Sequence, residues 1–153
     1  MSVFDRLAKL GISLPPAAAA VANYVPYIQS GSLLFISGQI PMENGSVVFQ
    51  GKVGQDYNTE YAQRAARLCA INIISQINEA THGDLDRVTR IVKLGGFVNC
   101  TDGFSEQPQV INAASDLMVA VFGDAGRHSR SAVGVNALPM NVPVEIDAII
   151  EIS

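Results

Sequence analysis

The chain alternates between segments whose apolar residues recur at helical spacing and segments with the spacing of strands. Residues 2–11 predict a short amphipathic helix. Residues 58–83 carry the longest helical stripe, and its many small side chains favour close packing on a sheet. A second long helix is predicted over residues 105–123. The "PPAAAA" segment after the first helix has neither pattern, and because prolines interrupt helices we interpret it as an irregular connector.

Strand patterns fill most of the remaining chain. Two strands are predicted around a turn at Gly31–Ser32, a short third within residues 45–54, and a fourth over Val88–Val98. The tail supplies two more, Arg130–Asn136 and Val144–Ile152. We expect these last two to form a hairpin around "ALPMNVP".

The order of these elements predicts a single α+β domain over residues 1–153, with both long helices covering one face of a single sheet. The strands are apolar at both alternating sets of positions, for example at Leu33 and Phe35 on one side and at Leu34 and Ile36 on the other. A sheet with two apolar faces, and helices for only one, must bury the other face elsewhere. We therefore expect assembly with other copies of the chain.

Composition and charge narrow the classes of function. The net charge is −4 and the pI about 5.0, and no basic run is present, so a nucleic-acid partner is not expected. No apolar run approaches the roughly 20 residues that span a bilayer, and no secretory signal opens the chain. We expect no membrane partner and a cytoplasmic location.

Familiar catalytic and metal-binding motifs are missing from the sequence. It contains no G-x-S-x-G, no H-E-x-x-H, no phosphate-binding loop and no dinucleotide fingerprint. His82 and His128 have no obvious partner for a metal, and Cys69 and Cys100 do not form a C-x-x-C pair. We interpret the cysteines as structural thiols and expect no metal site.

Two charged residues stand out in the apolar tail. Arg130 begins one predicted strand, where its fork of donors could hold a carboxylate through two parallel hydrogen bonds. Glu145 lies inside the next strand, where burial would raise its pKa toward the range useful for proton transfer. A surface ion pair and exposed edge positions are the alternative interpretations.

The expected hairpin would keep these two residues apart. With its centre near Met140, Arg130 lies ten positions before the centre and Glu145 five positions after it. The offset of about five residues corresponds to roughly 16 Å along the sheet. One chain would struggle to bring both residues onto one small ligand, whereas two neighbouring chains could contribute one each.

Three segments resemble a known family. Together, "YVPYIQSGSLLFISGQIP", "VINAASDLMVAVF" and "RSAVGVNALPMNVPVEIDAI" resemble the RidA/YjgF family of enamine and imine deaminases, also named L-PSP endoribonucleases, over about residues 22–152. The resemblance implies a chorismate-mutase-like fold and a homotrimer with clefts between subunits. It also implies hydrolysis of 2-aminoacrylate-type enamines and imines to 2-oxoacids and ammonia without a cofactor. Residues 1–21 look like an extension to the compact core of that family.

The resemblance also implies roles for individual residues. Arg130 falls on the family's carboxylate-binding arginine, and Glu145 falls on its water-positioning glutamate. The other positions are expected to contact the substrate, a small carboxylate: Tyr27 (or Tyr24 by a shift), Ser37, Gly38, Asn112 and Ala132.

The sequence departs from the family pattern beside the arginine. Ala132 stands where many deaminases carry a cysteine, and His128 stands where the family usually has proline or alanine. These differences keep a second function open, in which a regulatory trimer binds a small carboxylate without turnover. A ribonuclease has less support, because the chain is acidic and lacks a basic groove or histidine pair.

Overall fold

The computed structural model describes residues 1–20 and 22–153. The sequence patterns predicted the long elements to within a few residues, and the short third strand is reduced to two residues. The elements follow one another along the chain as α1 (Val3–Lys9), β1 (Tyr27–Ser30), β2 (Leu33–Gln39), β3 (Met42–Glu43), β4 (Ser46–Val47), α2 (Thr59–Ala80), β5 (Val88–Asn99), α3 (Gln107–Phe122), β6 (Ser129–Val135) and β7 (Val144–Ile152).

Five of the strands form one mixed sheet in the order β1-β2-β7-β5-β6. Strand β6 runs parallel to β5, with α3 as the crossover between them, and the other pairs are antiparallel. Strands β1 and β2 form the predicted hairpin, in which Gly31 adopts a φ of 63° that suits glycine. Strands β3 and β4 pair only with each other, outside the main sheet.

The predicted hairpin between β6 and β7 is wrong. These two strands lie on opposite sides of β5, and the segment between them crosses the end of that strand. Asn99, the last residue of β5, fastens the crossing segment: its backbone N–H donates to the Pro143 carbonyl at 2.9 Å, and its Nδ2 donates to the Val142 carbonyl at 3.2 Å. The short sequence separation of β6 and β7 suggested that they pair with each other, whereas the backbone of each strand hydrogen-bonds to β5 between them.

Both long helices cover the same face of the sheet, as predicted. Helix α2 packs on β2 and β7, and α3 packs on β5 and β6. Large aliphatic side chains from the strands fill the space below the helices and are almost fully buried, each contributing roughly 1.5–3 kcal/mol: Leu34, Ile36, Ile91, Leu94, Ile146 and Ile150.

The opposite face of the sheet is uncovered in a single chain, as the alternating apolar pattern predicted. Ile28 is 60% exposed, Phe35 38% and Val133 45%, and they come from β1, β2 and β6 respectively. Exposed apolar residues spread across three strands of one sheet are typical of a contact surface. We call this surface the open face of the sheet.

The amino-terminal segment is docked rather than loose. Helix α1 begins with a capping box between Ser2 and Asp5, and it buries Val3 and Leu7 against the core. Further along, the Ala18 carbonyl accepts a hydrogen bond of 2.7 Å from a side chain of α2. Within residues 1–20 and 22–153, the helices are all too short or too polar to cross a membrane.

Candidate functional site

Arg130 is oriented by helix α3. It lies in edge strand β6 with its side chain on the helix-covered face. Its Nη1 donates to Asn112 Oδ1 at 2.8 Å and to Ser115 Oγ at 3.1 Å, and its Nη2 donates to the Pro108 carbonyl at 3.4 Å. A neighbour of β6 extends the network, because His128 Nε2 lies 2.9 Å from the same Ser115 hydroxyl.

Every partner of this guanidinium is neutral. Arginine carries five N–H donors, and three hydrogen bonds leave Nε–H and one further donor for a ligand. Among the residues that the structure describes, the ion pair found is between Arg127 and Asp124, and no carboxylate lies within 4.0 Å of Arg130. The positive charge is therefore held in place but not neutralised, which suits an incoming carboxylate. The sequence analysis expected Asn112 to contact the substrate, and in the structure Asn112 accepts a hydrogen bond from Arg130.

Glu145 lies on the open face of the sheet, in β7. It is half-buried, and burial raises the pKa of its carboxyl above the usual range, with the charge of Asp147 adding to the rise. Its carboxylate lies over Gly38, where a methyl group would overlap it. Gly38 sits in a β-bulge where the pairing of β2 with β7 shifts between Ile36 and Gln39. Bulges of this kind commonly re-aim side chains beside active sites.

A second carboxyl group, Asp147, lies beside Glu145 on the open face. Burial raises its pKa, while the backbone N–H of Gly95 and the charge of Lys93 act in the opposite direction. The sequence analysis did not select Asp147, although its place two residues after Glu145 in an alternating strand puts both on one face. The charge of Asp147 disfavours the ionised form of the Glu145 carboxyl.

A pocket of about 120 Å³ opens beside Glu145. Ser37 and Gly38 line it, as does Tyr24. Tyr27 instead begins β1 and packs against the hydrophobic core, so the shifted tyrosine considered in the sequence analysis is the one in the pocket wall. The Ser37 hydroxyl donates to the Val25 carbonyl at 2.7 Å, which ties β2 to the tyrosine-bearing segment.

Arg130 and Glu145 of one chain lie apart and on opposite faces. In the pairing registers, Arg130 is opposite Leu94 and Glu145 is opposite Phe97, three positions further along β5. Three residues along the strand and two strand spacings across it separate their backbones by roughly 14 Å. The expected separation is therefore similar to that of the hairpin argument, although the hairpin itself is wrong.

The position of the family cysteine holds no thiol. Ala132 follows Arg130 on the helix-covered face and packs against the core. Cys69 and Cys100 are both buried and free. Burial raises the pKa of the Cys69 thiol well above its usual value, and the charge of Glu145 adds to this, so the thiol stays protonated. Within the described part of the chain, no three potential ligands cluster in a way that could hold a metal ion.

Comparisons with known proteins agree on one family. The family model described as "YjgF/chorismate mutase-like, putative endoribonuclease" matches residues 4–151, and so reaches into the amino-terminal segment. Protein TCP17 of Trypanosoma cruzi is 48% identical over 99% of this chain and 94% of its own length. The crystal structure of protein Atu1372 from Agrobacterium tumefaciens is 51% identical and superposes with a TM-score of 0.93, covering 99% of this chain and 92% of that one.

A more distant relative carries an activity in its name. The 2-iminobutanoate/2-iminopropanoate deaminase of Salmonella typhimurium is 29% identical over 90% of this chain and 94% of its own length. The family match covers nearly the whole chain, and the fold and the sequence motifs agree with it. The chain therefore belongs to the YjgF/chorismate mutase-like family.

Proposed function

We propose that this protein is a hydrolytic deaminase of 2-aminoacrylate-type enamines and their 2-imino acid tautomers, acting at clefts between the subunits of a homotrimer. One observation carries the proposal: the guanidinium of Arg130 is held by neutral groups only, with donors left for a carboxylate. The name of the Salmonella relative supports the class of reaction.

The arrangement supplies the parts of a hydrolysis. Arg130 holds the substrate carboxylate and fixes its orientation, which removes entropy from the later attack. The enamine takes a proton on carbon and loses one from nitrogen to give the imine. Water attacks the imine carbon while Glu145 accepts its proton and passes it to nitrogen. Glu145 then carries the hydroxyl proton of this adduct to nitrogen as the carbon–nitrogen bond breaks, so that ammonia leaves and the carbonyl of the 2-oxoacid forms.

The raised pKa of Glu145 suits this double task. Because the raised pKa favours the protonated form, this carboxyl holds the proton taken from water more readily than an ordinary glutamate does. Burial beside Gly38 and repulsion by Asp147 both act in this direction. The protein chain supplies acid, base and charge, and the proposed reaction needs no cofactor.

Two features support a cleft between copies. Arg130 and Glu145 of one chain lie on opposite faces of the sheet, so the two side chains of a single chain cannot contact the same small ligand. The exposed apolar residues of the open face, such as Phe35 and Val133, offer a surface for a second copy. A cyclic trimer would repeat one such contact three times and close the assembly.

The test is release of ammonia from 2-aminoacrylate generated by a pyridoxal-phosphate enzyme. The protein is expected to accelerate release, and Arg130→Ala is expected to abolish the acceleration, with Arg127→Ala as the matched control. Arg127 is an exposed arginine three residues away that pairs with Asp124. Full activity in the Arg130→Ala variant would contradict the assignment.

Binding of a small carboxylate without turnover is the second candidate function. The absence of a thiol at Ala132 favours it, because the position next to the bound carboxylate then carries no reactive group. Calorimetry with pyruvate separates the two candidates. Binding that depends on Arg130, together with no acceleration of ammonia release, would establish the binder and reject the deaminase.

A further inference from the structure

The amino-terminal segment forms one wall of the Glu145 pocket. Ala18, Ala19 and Ala20 line it from one side, together with Tyr24. Ile40, Met42 and Met140 contribute further apolar surface. The polar lining comes from Glu145, its neighbours on β2 and Asn72, so polar groups and apolar surface share one pocket.

Helix α2 holds the backbone of these lining segments with two side-chain amides one turn apart. Gln76 is 1% exposed, and its Nε2 donates to the Ala18 carbonyl at 2.7 Å. Asn72 is 7% exposed, and its Nδ2 donates to the Ile40 carbonyl at 3.0 Å and to the Met42 carbonyl at 3.1 Å. Burying two amides in a helix costs stability unless both are paired, so their role here is to hold these wall segments.

A strained residue stands on another side of the same pocket. Met140 has a φ of 56°, in the left-handed region, and is 55% exposed. The Met140 carbonyl accepts a hydrogen bond of 2.9 Å from Gln50, which helps to keep the segment in this conformation. A non-glycine residue is held in this region only where surrounding contacts require it, commonly at ligand sites.

We propose that residues 15–20, docked through Gln76, determine substrate specificity by forming an apolar subsite for the substrate side chain. The preferred substrates are then 2-imino acids with an apolar side chain of about three or four carbons, rather than 2-aminoacrylate, whose side chain has one carbon. The pocket volume of about 120 Å³ suits this size, since a cavity of roughly 150 Å³ holds benzene. This inference rests on the proposed function, which places the carboxylate on Arg130 and the reacting carbon at Glu145.

Calorimetric titration with two 2-oxoacid products tests the subsite without requiring turnover. The probes are pyruvate and 4-methyl-2-oxopentanoate, whose side chains have one and four carbons. Each buried methylene raises affinity roughly fourfold, so we expect the larger acid to bind at least about tenfold tighter than pyruvate. Gln76→Ala, which releases the wall, is expected to reduce this ratio to about threefold or less. The matched control is Gln63→Ala on the same helix. Gln63 Nε2 donates to the Gln109 carbonyl at 2.9 Å, and Gln63 does not line the pocket.

A second variant narrows the pocket instead of releasing its wall. Ala18→Leu adds three carbons at a lining position and is expected to weaken 4-methyl-2-oxopentanoate by about tenfold while leaving pyruvate within about twofold. Equal affinities of the two acids for the unmodified protein, or an unchanged ratio in folded Gln76→Ala and Ala18→Leu variants, would overturn the subsite. Binding of both acids that survives Arg130→Ala would instead overturn the proposed function. Failure of the unmodified protein to bind either acid would overturn both.

Discussion

Replacing Asn112 by aspartate changes the amide nitrogen to oxygen and places a negative charge beside the guanidinium of Arg130. The Oδ1 atom of Asn112 lies 2.8 Å from Arg130 Nη1, so the new carboxylate keeps the hydrogen bond and forms an ion pair. We expect Asn112→Asp to leave stability unchanged or raise it by up to about 1 kcal/mol, as partly exposed ion pairs do. The same pair would neutralise the charge proposed to hold the substrate.

The loss of affinity follows from the geometry of the guanidinium. A ligand carboxylate on the free edge of Arg130 and the new carboxylate at residue 112 would lie roughly 6 Å apart on opposite sides of one planar group. Their repulsion is about 2.8 kcal/mol at an effective dielectric constant of 20 and about 0.7 kcal/mol at 80. Pyruvate affinity is therefore expected to fall roughly 3- to 100-fold, with a matching rise in KM for ammonia release.

Titration calorimetry at two salt concentrations checks this reasoning. The loss in Asn112→Asp should shrink as salt rises from about 0.05 M to about 0.5 M, because ions screen the repulsion. Asn112→Ala, which removes the hydrogen bond without adding charge, should lose less affinity and show a weaker dependence on salt. Pyruvate affinity that is unchanged in a folded Asn112→Asp protein would refute a carboxylate site on Arg130.

Three further outcomes follow from the structure. Gly38→Ala should lower activity about 100-fold with little loss of stability, because the added methyl group displaces the Glu145 carboxylate by about 1 Å; undiminished kcat would exclude the close approach. Glu145→Gln should stabilise the protein at pH 7 in urea unfolding. The folded-state pKa of Glu145 is raised, so the contribution of this residue to the free energy of unfolding is fully present below the ordinary pKa of 4.5 and is lost as pH rises through the folded pKa. The stabilisation by glutamine should therefore vanish near pH 3. A stabilisation that stays constant with pH would contradict the shift. Phe35→Asp should convert the proposed trimer to monomers in light scattering and abolish turnover, whereas an intact trimer would show that the open face is not the interface.

Much of the fold could be predicted from local patterns. Helix α2 and strand β7 follow from apolar periodicity over 22 and 9 residues, and the turn at Gly31 follows from residue chemistry. The partner of β7 could not be predicted in this way. Whether β6 or β5 lies beside it depends on long-range contacts, and the hydrogen bonds by which Asn99 holds the crossing segment are seen only in the folded chain. Periodicity records which face is buried but not which strand is the neighbour.

The residues of the candidate site were likewise only partly predictable from the sequence. Arg130 and Glu145 were conspicuous because each is a charge in an apolar strand. The distinction between Tyr24 and Tyr27 depends on where β1 begins, a matter of one or two residues that sequence patterns do not fix. Asp147 was overlooked because it continues the alternation that marks an exposed strand face. Its raised pKa arises from tertiary burial, which alternation does not report.

Mixed assemblies test most directly whether two copies complete one site. Arg130→Ala and Glu145→Ala proteins, each inactive alone, are unfolded together in equal amounts, refolded, and assayed for ammonia release. If each site takes its arginine from one copy and its glutamate from the next, random trimers regain about one quarter of the original activity. No recovery, with trimers containing both variants demonstrated by mass spectrometry, would contradict a site shared between subunits.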